Sequence, residues 1–495
     1  MLFNSYLFLP YLAFVLSVFF WVGRSNPTWA AAWLAMASFA FYAIGEYVSV
    51  DFAAALMHTL ILAASVAFNY LAGLLIHRAS TPATRRWRLA AAVSVDLALL
   101  GYFKYANFFL HVVGIDVRAT SGVLPLGISF YAFTQVAYLV DISRGRVKEF
   151  SAVYYALFVS YFPHLIAGPI IHHAEMIPQF RRQENYYCKW SNLAVGVSIF
   201  AFGLAKKALI ADGAAPYADQ VFSAVAQGNL SVAECWVGEL AYTIQIYFDF
   251  SAYTDMAIGV SKMIGFTLPM NFNSPYKATS IVDFWHRWHM TLSRFLRDYL
   301  YIPLGGNRHG LPRRYVNLLL TMLLGGLWHG AGWTFVIWGS LHGVYLIVNH
   351  MWHRFGGCMP NLAGFAFTFI AVVFAWVFFR ADNLASALAM TRGMLGLAHA
   401  AYAGSGLEGG ALFPNMGFEP AKVSLVIGLP LLIAWAMPNV PQLFATYAAS
   451  LDAADLDRPP FGWRPRVHWA LACGALLAIG IIAMGQQSPF LYFRF

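Results

Sequence analysis

The chain has 495 residues, of which 60% are hydrophobic and only 11% are charged, and its mean hydropathy is +0.60. Soluble globular chains carry about 25% charged residues, so the composition excludes an ordinary soluble domain and indicates an integral membrane protein. The net charge of +9 does not indicate nucleic-acid binding, because the basic residues are concentrated in alternate loops between apolar segments.

Apolar windows long enough to cross a bilayer recur along the whole sequence. A helical crossing needs roughly 20 apolar residues, and helices are expected because lipid leaves no water to satisfy backbone groups. The pattern predicts an all-α, polytopic transmembrane bundle with about ten to twelve crossings, forming a single membrane domain over residues 1–495. The windows are about 6–22, 29–45, 52–76, 89–113, 124–142, 191–211, 236–262, 315–350, 361–379, 421–437 and 468–485.

The first window lacks the basic residues and the small-residue cleavage site of a signal peptide, so we expect it to remain as the first crossing. Basic residues then alternate between loops. Loop 77–88 holds four arginines and loop 143–150 holds three basic residues, whereas loops 46–51 and 114–123 hold only Arg118 between them. The positive-inside rule places the basic loops in the cytoplasm and the N-terminus outside.

Segment 151–171 interrupts this alternation. The loop after it, 172–190, carries three basic residues and is therefore also predicted to be cytoplasmic. Pro163 and Gly168 disrupt helix continuity, so the pattern predicts a re-entrant turn that enters and leaves by one face. Broken backbone at membrane depth is tolerated where it lines a cavity, and we expect His164 to face that cavity.

Charged residues also occur inside two later predicted spans. Lys206 and Lys207 fall near the outer end of one, which indicates a shorter span or a wet pocket. Asp249 and Asp255 lie in the next, within the run 247–259, each with a hydroxyl residue four positions away. We favour a polar network that links helices; the alternative is that these acids support a nearby reaction site.

The longest polar excursion covers residues 266–314. Within it, residues 283–301 carry apolar side chains at helical spacing opposite polar ones, which predicts an amphipathic helix at the membrane interface. Asp283 is expected to be its N-cap, and the run that starts at Pro303 is expected to end it.

His289 and His329 are each preceded by a tryptophan, in motifs 40 positions (329 − 289) apart. A histidine inside a membrane is costly unless it is paired or lines a wet cavity, so it is a functional candidate. Imidazole is also well suited to take a proton from a hydroxyl near neutral pH. Ser293 and Arg297 follow one and two turns after His289, and we expect the three to lie near one face.

His329 and the adjacent Trp328 lie in a glycine-rich stretch. Glycines at 325, 326, 330 and 332 remove side-chain bulk, so that another backbone or a substrate can approach closely. The alternative for His329 is a structural histidine with its hydrogen bonds satisfied, and the alternative for His289 is an ordinary interfacial helix.

The sequence does not predict a metal site. His286 and His289 form an H-x-x-H pair and His172 adjoins His173, but neither pair has the carboxylate-rich neighbours of a metal-binding motif. The four cysteines are far apart and are expected to be buried, small apolar residues. No Gly-x-Ser-x-Gly nucleophile motif occurs either.

Taken together, these motifs resemble the membrane-bound O-acyltransferase family, in the branch that acetylates bacterial polysaccharides such as alginate and cellulose. The resemblance extends over nearly the whole chain. The matching segments are 124–133, 165–170, 249–259, 271–276, 283–306, 327–335 and 489–495.

The resemblance implies that His329, in Trp-His-Gly, is the catalytic residue and that His289 occupies a second site position. His329 is then expected to act as general base on an acceptor hydroxyl that attacks a thioester. His289 is expected to orient the acceptor or to donate a hydrogen bond to the developing oxyanion. Trp328, Ser293, Arg297, Asp249 and Asp255 are expected to contact substrate or support the site.

The expected function is that of an O-acetyltransferase subunit of the bacterial inner membrane, with a periplasmic N-terminus. It would take acetyl groups from cytoplasmic acetyl-CoA, without a permanently bound cofactor, for O-acetylation of an exopolysaccharide through a periplasmic acyl-accepting partner enzyme. Arg308, Arg313 and Arg314 are expected to contact coenzyme A phosphates or anionic lipids. The alternatives are transfer of D-alanine from a carrier protein and non-catalytic transport of polysaccharide or lipid.

Overall fold

The computed structural model describes residues 3–115, 117, 123–227, 230–397, 413, 416–484, 490 and 491. Over these ranges the chain forms helices and connecting segments and contains no strand, as the sequence predicts. Short π-helical turns interrupt or extend several of the helices, for example at 101–105, 206–211 and 297–301.

The helices of the N-terminal half are α1 (Phe8–Gly23), α2 (Pro27–Ser49), α3 (Phe52–His77), α4 (Pro82–Leu100), α5 (Ala106–Val112), α6 (Ile128–Ser143), α7 (Ala152–Ser160), α8 (Phe162–Leu165), α9 (His173–Arg181), α10 (Trp190–Ala205), α11 (Asp212–Ala224) and α12 (Val232–Ile264). The remaining helices are α13 (Ile281–Arg287), α14 (Met290–Leu296), α15 (Gly310–His329), α16 (Trp333–Arg354), α17 (Asn361–Arg380), α18 (Leu384–Met394), α19 (Pro420–Val423), α20 (Leu429–Ala436), α21 (Val440–Leu443) and α22 (Val467–Ala483).

Several of these helices have the length and composition of membrane spans. Within the described ranges, 5 helical stretches are long and apolar enough to cross a bilayer: Pro27–Ser49, Phe52–His77, Pro82–Val112, Trp190–Ala224 and Asn361–Arg380. Three shorter apolar helices are Phe8–Gly23, Pro420–Ala436 and Val467–Ala483. The chain is therefore a multi-pass membrane protein. The predicted number of crossings remains a prediction.

The chain divides into two compact units, each built from separate segments. The first unit comprises Met1–Leu204, Tyr253–Met270 and Val440–Met484, and the second comprises Ala205–Ala252, Asn271–Asn439 and Gly485–Phe495. Helix α12 contributes its N-terminal part to the second unit and its C-terminal part to the first.

Buried polar side chains link helices within the first unit. Glu46 on α2 lies 2.9 Å from Nδ1 of His58 on α3, and the amide of Asn69 donates to Asp96 on α4 at 2.8 Å. Such hydrogen bonds commonly hold transmembrane helices together. They fix the packing of α2, α3 and α4.

The segment that follows α7 is irregular, as its prolines predict. Helix α7 ends at Ser160, and the one-turn helix α8 starts directly after Tyr161. His164 in this helix is buried, and its Nε2 lies 3.0 Å from the carbonyl oxygen of Phe158. The broken helix is confirmed, whereas the re-entrant course of the segment and a cavity beside His164 remain predictions.

In the second unit, α15 and α16 form a hairpin whose two backbones touch. A side-chain carbon on Gly326 would overlap the carbonyl oxygen of Phe335, and one on Gly339 would overlap that of Met322. The close approach predicted at Gly326 is therefore made by the backbone of α16, which occupies the space where a side chain on Gly326 would lie.

The prediction that the four cysteines are buried is correct for two of them. Cys235 and Cys473 are buried, but Cys188 and Cys358 are exposed. The expectation of burial is wrong for these two because both lie in connections between helices and not on helix faces.

Candidate active site

His329 lies at the end of a helix and is surrounded by aromatic rings. It is the last residue of α15, which stops because Gly330 adopts an extended conformation (φ −163°, ψ 150°). The residue is 4% exposed. Its ring centroid lies 4.8 Å from that of Trp328, 5.1 Å from that of Trp338 and 5.1 Å from that of Phe379. These surroundings exclude most water, which strengthens polar interactions with any group that enters.

His289 lies at a break between two helices. The predicted amphipathic helix is in fact α13 and α14, and His289 between them has a left-handed backbone (φ 43°, ψ 52°). The prediction of Asp283 as N-cap is wrong, since the hydroxyl of Ser280 accepts the hydrogen bond from the Asp283 amide at 3.1 Å. The side chain of Asp283 instead pairs with Arg287 at 2.7 Å.

The structure brings the two predicted histidines together. His289 is fully buried (0% exposed), and its ring centroid lies 6.4 Å from that of His329. Phe250 on α12 packs edge-on against His289 at 4.8 Å, and Trp328 lies 6.1 Å from it. All these residues belong to the second unit, so one compact body positions both imidazoles.

A clamp that the sequence analysis did not identify holds His289. Nδ1 of His289 lies 3.0 Å from Oδ1 of Asn271. The same oxygen accepts hydrogen bonds from the amide of Thr291 at 3.3 Å and from its hydroxyl at 2.9 Å. Burial lowers the pKa of His289 to about 3, so the imidazole is neutral near pH 7. Asn271 stands in the segment 271–276 that resembles the family, but an amide in a loop gives no separate signal.

Asp249 forms a buried ion cluster. Nζ of Lys207 lies 2.7 Å from Oδ1 of Asp249 and 2.7 Å from Oδ1 of Asp212, and the amide of Leu491 donates to Oδ2 of Asp249 at 2.9 Å. This explains why Lys207 is tolerated where the sequence predicts a span, because a buried charge requires a partner. Asp249 directly precedes Phe250, so the cluster anchors the part of α12 that contacts His289.

The other predicted site residues are placed differently. The Ser293 hydroxyl donates to the carbonyl oxygen of Trp288 at 3.4 Å, across the helix break. Arg297 is exposed and pairs with its neighbour Asp298 at 2.7 Å. It does not share a buried face with His289, which is fully buried and lies at the helix break rather than within one continuous helix. Asp255 is buried and belongs to the first unit.

The two histidines of the H-x-x-H pair differ in their surroundings. His286 is exposed whereas His289 is fully buried, so the two imidazoles do not face a common ion. Among the described residues there is no group of three or more His, Cys, Asp or Glu side chains that could hold a metal.

His342 is a further buried imidazole that the sequence analysis missed. It is fully buried on α16, and Nε1 of Trp285 donates to its Nδ1 at 3.3 Å. Its ring centroid lies 4.9 Å from that of Trp338, which in turn contacts His329. The available signal was a histidine inside an otherwise apolar stretch.

Comparisons with known proteins identify the family to which the chain is similar. The model of the membrane-bound O-acyltransferase family matches residues 24–390. The chain is 39% identical to the peptidoglycan O-acetyltransferase of Helicobacter pylori, over 95% of this chain and 92% of that protein. It is 38% identical to the probable alginate O-acetylase of Azotobacter vinelandii, over 93% and 94% of the two chains. It is 27% identical to the teichoic acid D-alanyltransferase of Bacillus subtilis, over 51% of this chain and 67% of that protein.

Proposed function

Because the chain belongs to the membrane-bound O-acyltransferase family, we propose that it transfers acetyl groups from cytoplasmic acetyl-CoA towards a polysaccharide outside the cytoplasmic membrane. The observation that carries this proposal is the pairing of His329 and His289, whose ring centroids lie 6.4 Å apart. Two adjacent buried imidazoles in a multi-pass membrane protein suit proton transfer during acyl transfer.

The chemical step needs a base and a site that excludes water. An acceptor hydroxyl attacks the thioester carbonyl carbon; the new C–O bond forms as the C–S bond breaks. His329 takes the hydroxyl proton and returns it to the departing thiolate, which leaves as the free thiol. General-base help of this kind typically accelerates a reaction by roughly 10²–10⁴-fold. The aromatic rings around His329 limit competing hydrolysis by water.

The donor side is proposed to be cytoplasmic. Arg308 and Arg313 are exposed just before and at the start of α15, the helix that ends at His329. Guanidinium groups suit the phosphates of coenzyme A. The alternation of basic loops supports a cytoplasmic position for this segment and a periplasmic N-terminus in the bacterial inner membrane.

The acceptor side is proposed to lead to a cell-envelope polysaccharide. Two relatives that match over nearly the whole chain carry names that refer to alginate and to peptidoglycan, and both of these polymers are polysaccharides. The proposed route passes the acetyl group to a periplasmic acyl-accepting enzyme, which modifies an exopolysaccharide of alginate or cellulose type. Peptidoglycan is a second acceptor, favoured by the Helicobacter pylori relative.

Thiol release from acetyl-CoA by the purified, detergent-solubilised protein tests the proposal. We expect His329→Ala to reduce turnover by at least 100-fold, a loss within the usual range for a general base. His286→Ala is the matched control, because this histidine is exposed and lies outside the site; its turnover should equal that of wild type. Equal turnover of His329→Ala and wild type would reject the catalytic assignment and favour a transporter.

D-Alanine transfer from a carrier protein is a weaker candidate. Its supporting relative is 27% identical and matches about half of this chain. The same assay separates the two, because a D-alanyl transferase would leave acetyl-CoA intact and would bind a D-alanyl carrier protein tightly.

A further inference from the structure

We infer that Asn271 is a positioning residue that fixes the tautomer of His289, so that Nε2 of this histidine accepts a hydrogen bond from the acceptor, from an O–H or N–H group other than the hydroxyl that His329 deprotonates. This inference rests on the proposed function and decides between the two roles that the sequence left open for His289. It assigns the histidine to orienting the acceptor and excludes it as a donor to the oxyanion.

The orientation of the Asn271 amide follows from its partner Thr291. The oxygen and nitrogen of an amide have nearly the same shape, so their assignment must come from their partners. The backbone N–H of Thr291 can only donate, and it points at the Asn271 side chain from 3.3 Å. The atom that faces it is therefore the oxygen, Oδ1, which also accepts the Thr291 hydroxyl at 2.9 Å.

The tautomer of His289 follows from that orientation. Oδ1 of Asn271 can only accept, so Nδ1 of His289, at 3.0 Å from it, carries the hydrogen. A neutral imidazole carries a hydrogen on only one of its two nitrogens, so Nε2 keeps its lone pair and can accept a hydrogen bond. Burial holds the pKa of His289 to about 3, so the doubly protonated ring that could donate from Nε2 is not populated near pH 7.

The backbone reinforces the same geometry. The amide of Met290 donates to the carbonyl oxygen of Asn271 at 2.9 Å. Asn271 thus binds the His289 segment twice, through its main chain at Met290 and through its side chain at His289 and Thr291. With Phe250 packed edge-on at 4.8 Å, the imidazole is held in one orientation.

Aromatic rings contact His289 among the described residues. Phe250, Trp328 and His329 lie 4.8, 6.1 and 6.4 Å from it, centroid to centroid. On α12, the nearest acid to Phe250 in sequence is Asp249, and it is ion-paired with Lys207. Asn271, whose Oδ1 lies 3.0 Å from Nδ1, is therefore a direct position at which to alter the protonation of His289.

Asn271→Asp gives the distinguishing experiment. A carboxylate on the Nδ1–H would keep the tautomer and favour the protonated ring, and an opposite charge in contact typically shifts a pKa by about 1–3 units. The His289 pKa rises, so the acidic limb of the kcat/KM profile for acetyl transfer from acetyl-CoA should move to higher pH. At pH 8, where Nε2 remains an acceptor, Asn271→Asp should keep more activity than a variant that lacks the acceptor at this position.

Three further variants separate positioning from folding. Asn271→Leu removes the acceptor and should lower kcat/KM by roughly 10- to 100-fold, the usual penalty for a misplaced reacting group. Thr291→Val removes the hydroxyl donor to Oδ1 but keeps the backbone donor, whereas Thr291→Ser keeps both. The valine variant should therefore lose less activity than Asn271→Leu, and the serine variant should match wild type. Size-exclusion profiles of the purified variants exclude those that do not fold.

The double variant Asn271→Asp/His289→Asn supplies the decisive control. If the pH shift acts through His289, it disappears in the double variant; a shift that persists there would overturn the inference. So would an Asn271→Leu protein that folds and retains wild-type kcat/KM. In either case His329→Ala would still be inactive if the proposed function is correct, so the two failures can be told apart.

Discussion

At the scale of single residues, the two site histidines are both placed where regular helix geometry ends. His329 is the last residue of α15, and His289 occupies a left-handed position between α13 and α14. A side chain at a helix end can point along the helix axis or across a break, directions that a residue in the middle of a helix does not have. This is how two segments 40 positions (329 − 289) apart present their imidazoles to each other.

His289→Asn should give a partial defect. Asparagine can donate to Oδ1 of Asn271 and still offer an oxygen as acceptor, but its shorter side chain reaches less far towards the acceptor. We expect kcat/KM for acetyl transfer to fall by roughly 10-fold, less than for His329→Ala. A rate equal to wild type in steady-state measurements would remove His289 from the site.

The sequence pointed to both histidines as candidates, because imidazole is costly in an apolar chain unless it is paired or used, and the structure places them side by side. It could not identify Asn271, because an amide in a connecting loop is ordinary and its value depends on the orientation of Thr291. The helix break at His289 was also hidden. No proline or glycine stands there to signal it, and the apolar periodicity of the segment continues across it.

At the scale of elements, the hairpin of α15 and α16 determines where His329 lies. Gly326 and Gly339 allow the two backbones to touch, which draws Trp338 on α16 against the His329 ring. The glycine-rich pattern predicted this contact, but it did not reveal which of the glycines takes part. That depends on which side of α15 faces α16.

Gly326→Ala should therefore destabilise the protein, whereas Gly332→Ala should not. A methyl group on Gly326 would overlap the Phe335 carbonyl, but one on Gly332 would meet its nearest neighbour at an ordinary 3.6 Å. Overpacking of this kind typically costs about 1–3 kcal/mol. Thermal unfolding in detergent should show a lower midpoint for Gly326→Ala alone, and equal midpoints for the two variants would contradict the packing described.

The ion cluster of Lys207, Asp212 and Asp249 joins α12 to the π-helical turn before α11. The sequence alone does not explain these charges, because it shows no partner for a lysine near the end of a predicted span. The partners are 5 (212 − 207) and 42 (249 − 207) positions away, and the second is brought in by tertiary packing alone.

At the scale of the whole molecule, the apolar windows predicted a polytopic helical protein, and the structure confirms that class. The windows could not give the division into two units, since each unit is assembled from segments distant in the chain. Within the described ranges, 5 helical stretches are individually long and apolar enough to span, and the number of crossings remains a prediction. Helix α12, for example, is long but contains Glu239, Asp249 and Asp255, of which Asp249 is paired with Lys207.

The native cysteines provide a test of orientation. Cys188 lies in the loop 172–190, which is predicted to be cytoplasmic, and Cys358 follows α16, which returns to the side where α15 starts. Both are exposed. A membrane-impermeant maleimide should label them in inverted inner-membrane vesicles and not in right-side-out vesicles. Cys188→Ser and Cys358→Ser variants identify each signal, and the reverse pattern would invert the proposed topology.

The left-handed backbone at His289 also sets a limit on engineering. A residue with a side chain in that conformation carries a strain of roughly 1–2 kcal/mol that glycine would not. Selection for thermal stability alone would therefore favour glycine at this position, which would remove the imidazole. At this residue the change that would raise stability would remove the imidazole. Stabilising substitutions elsewhere in the protein can leave His289 unchanged.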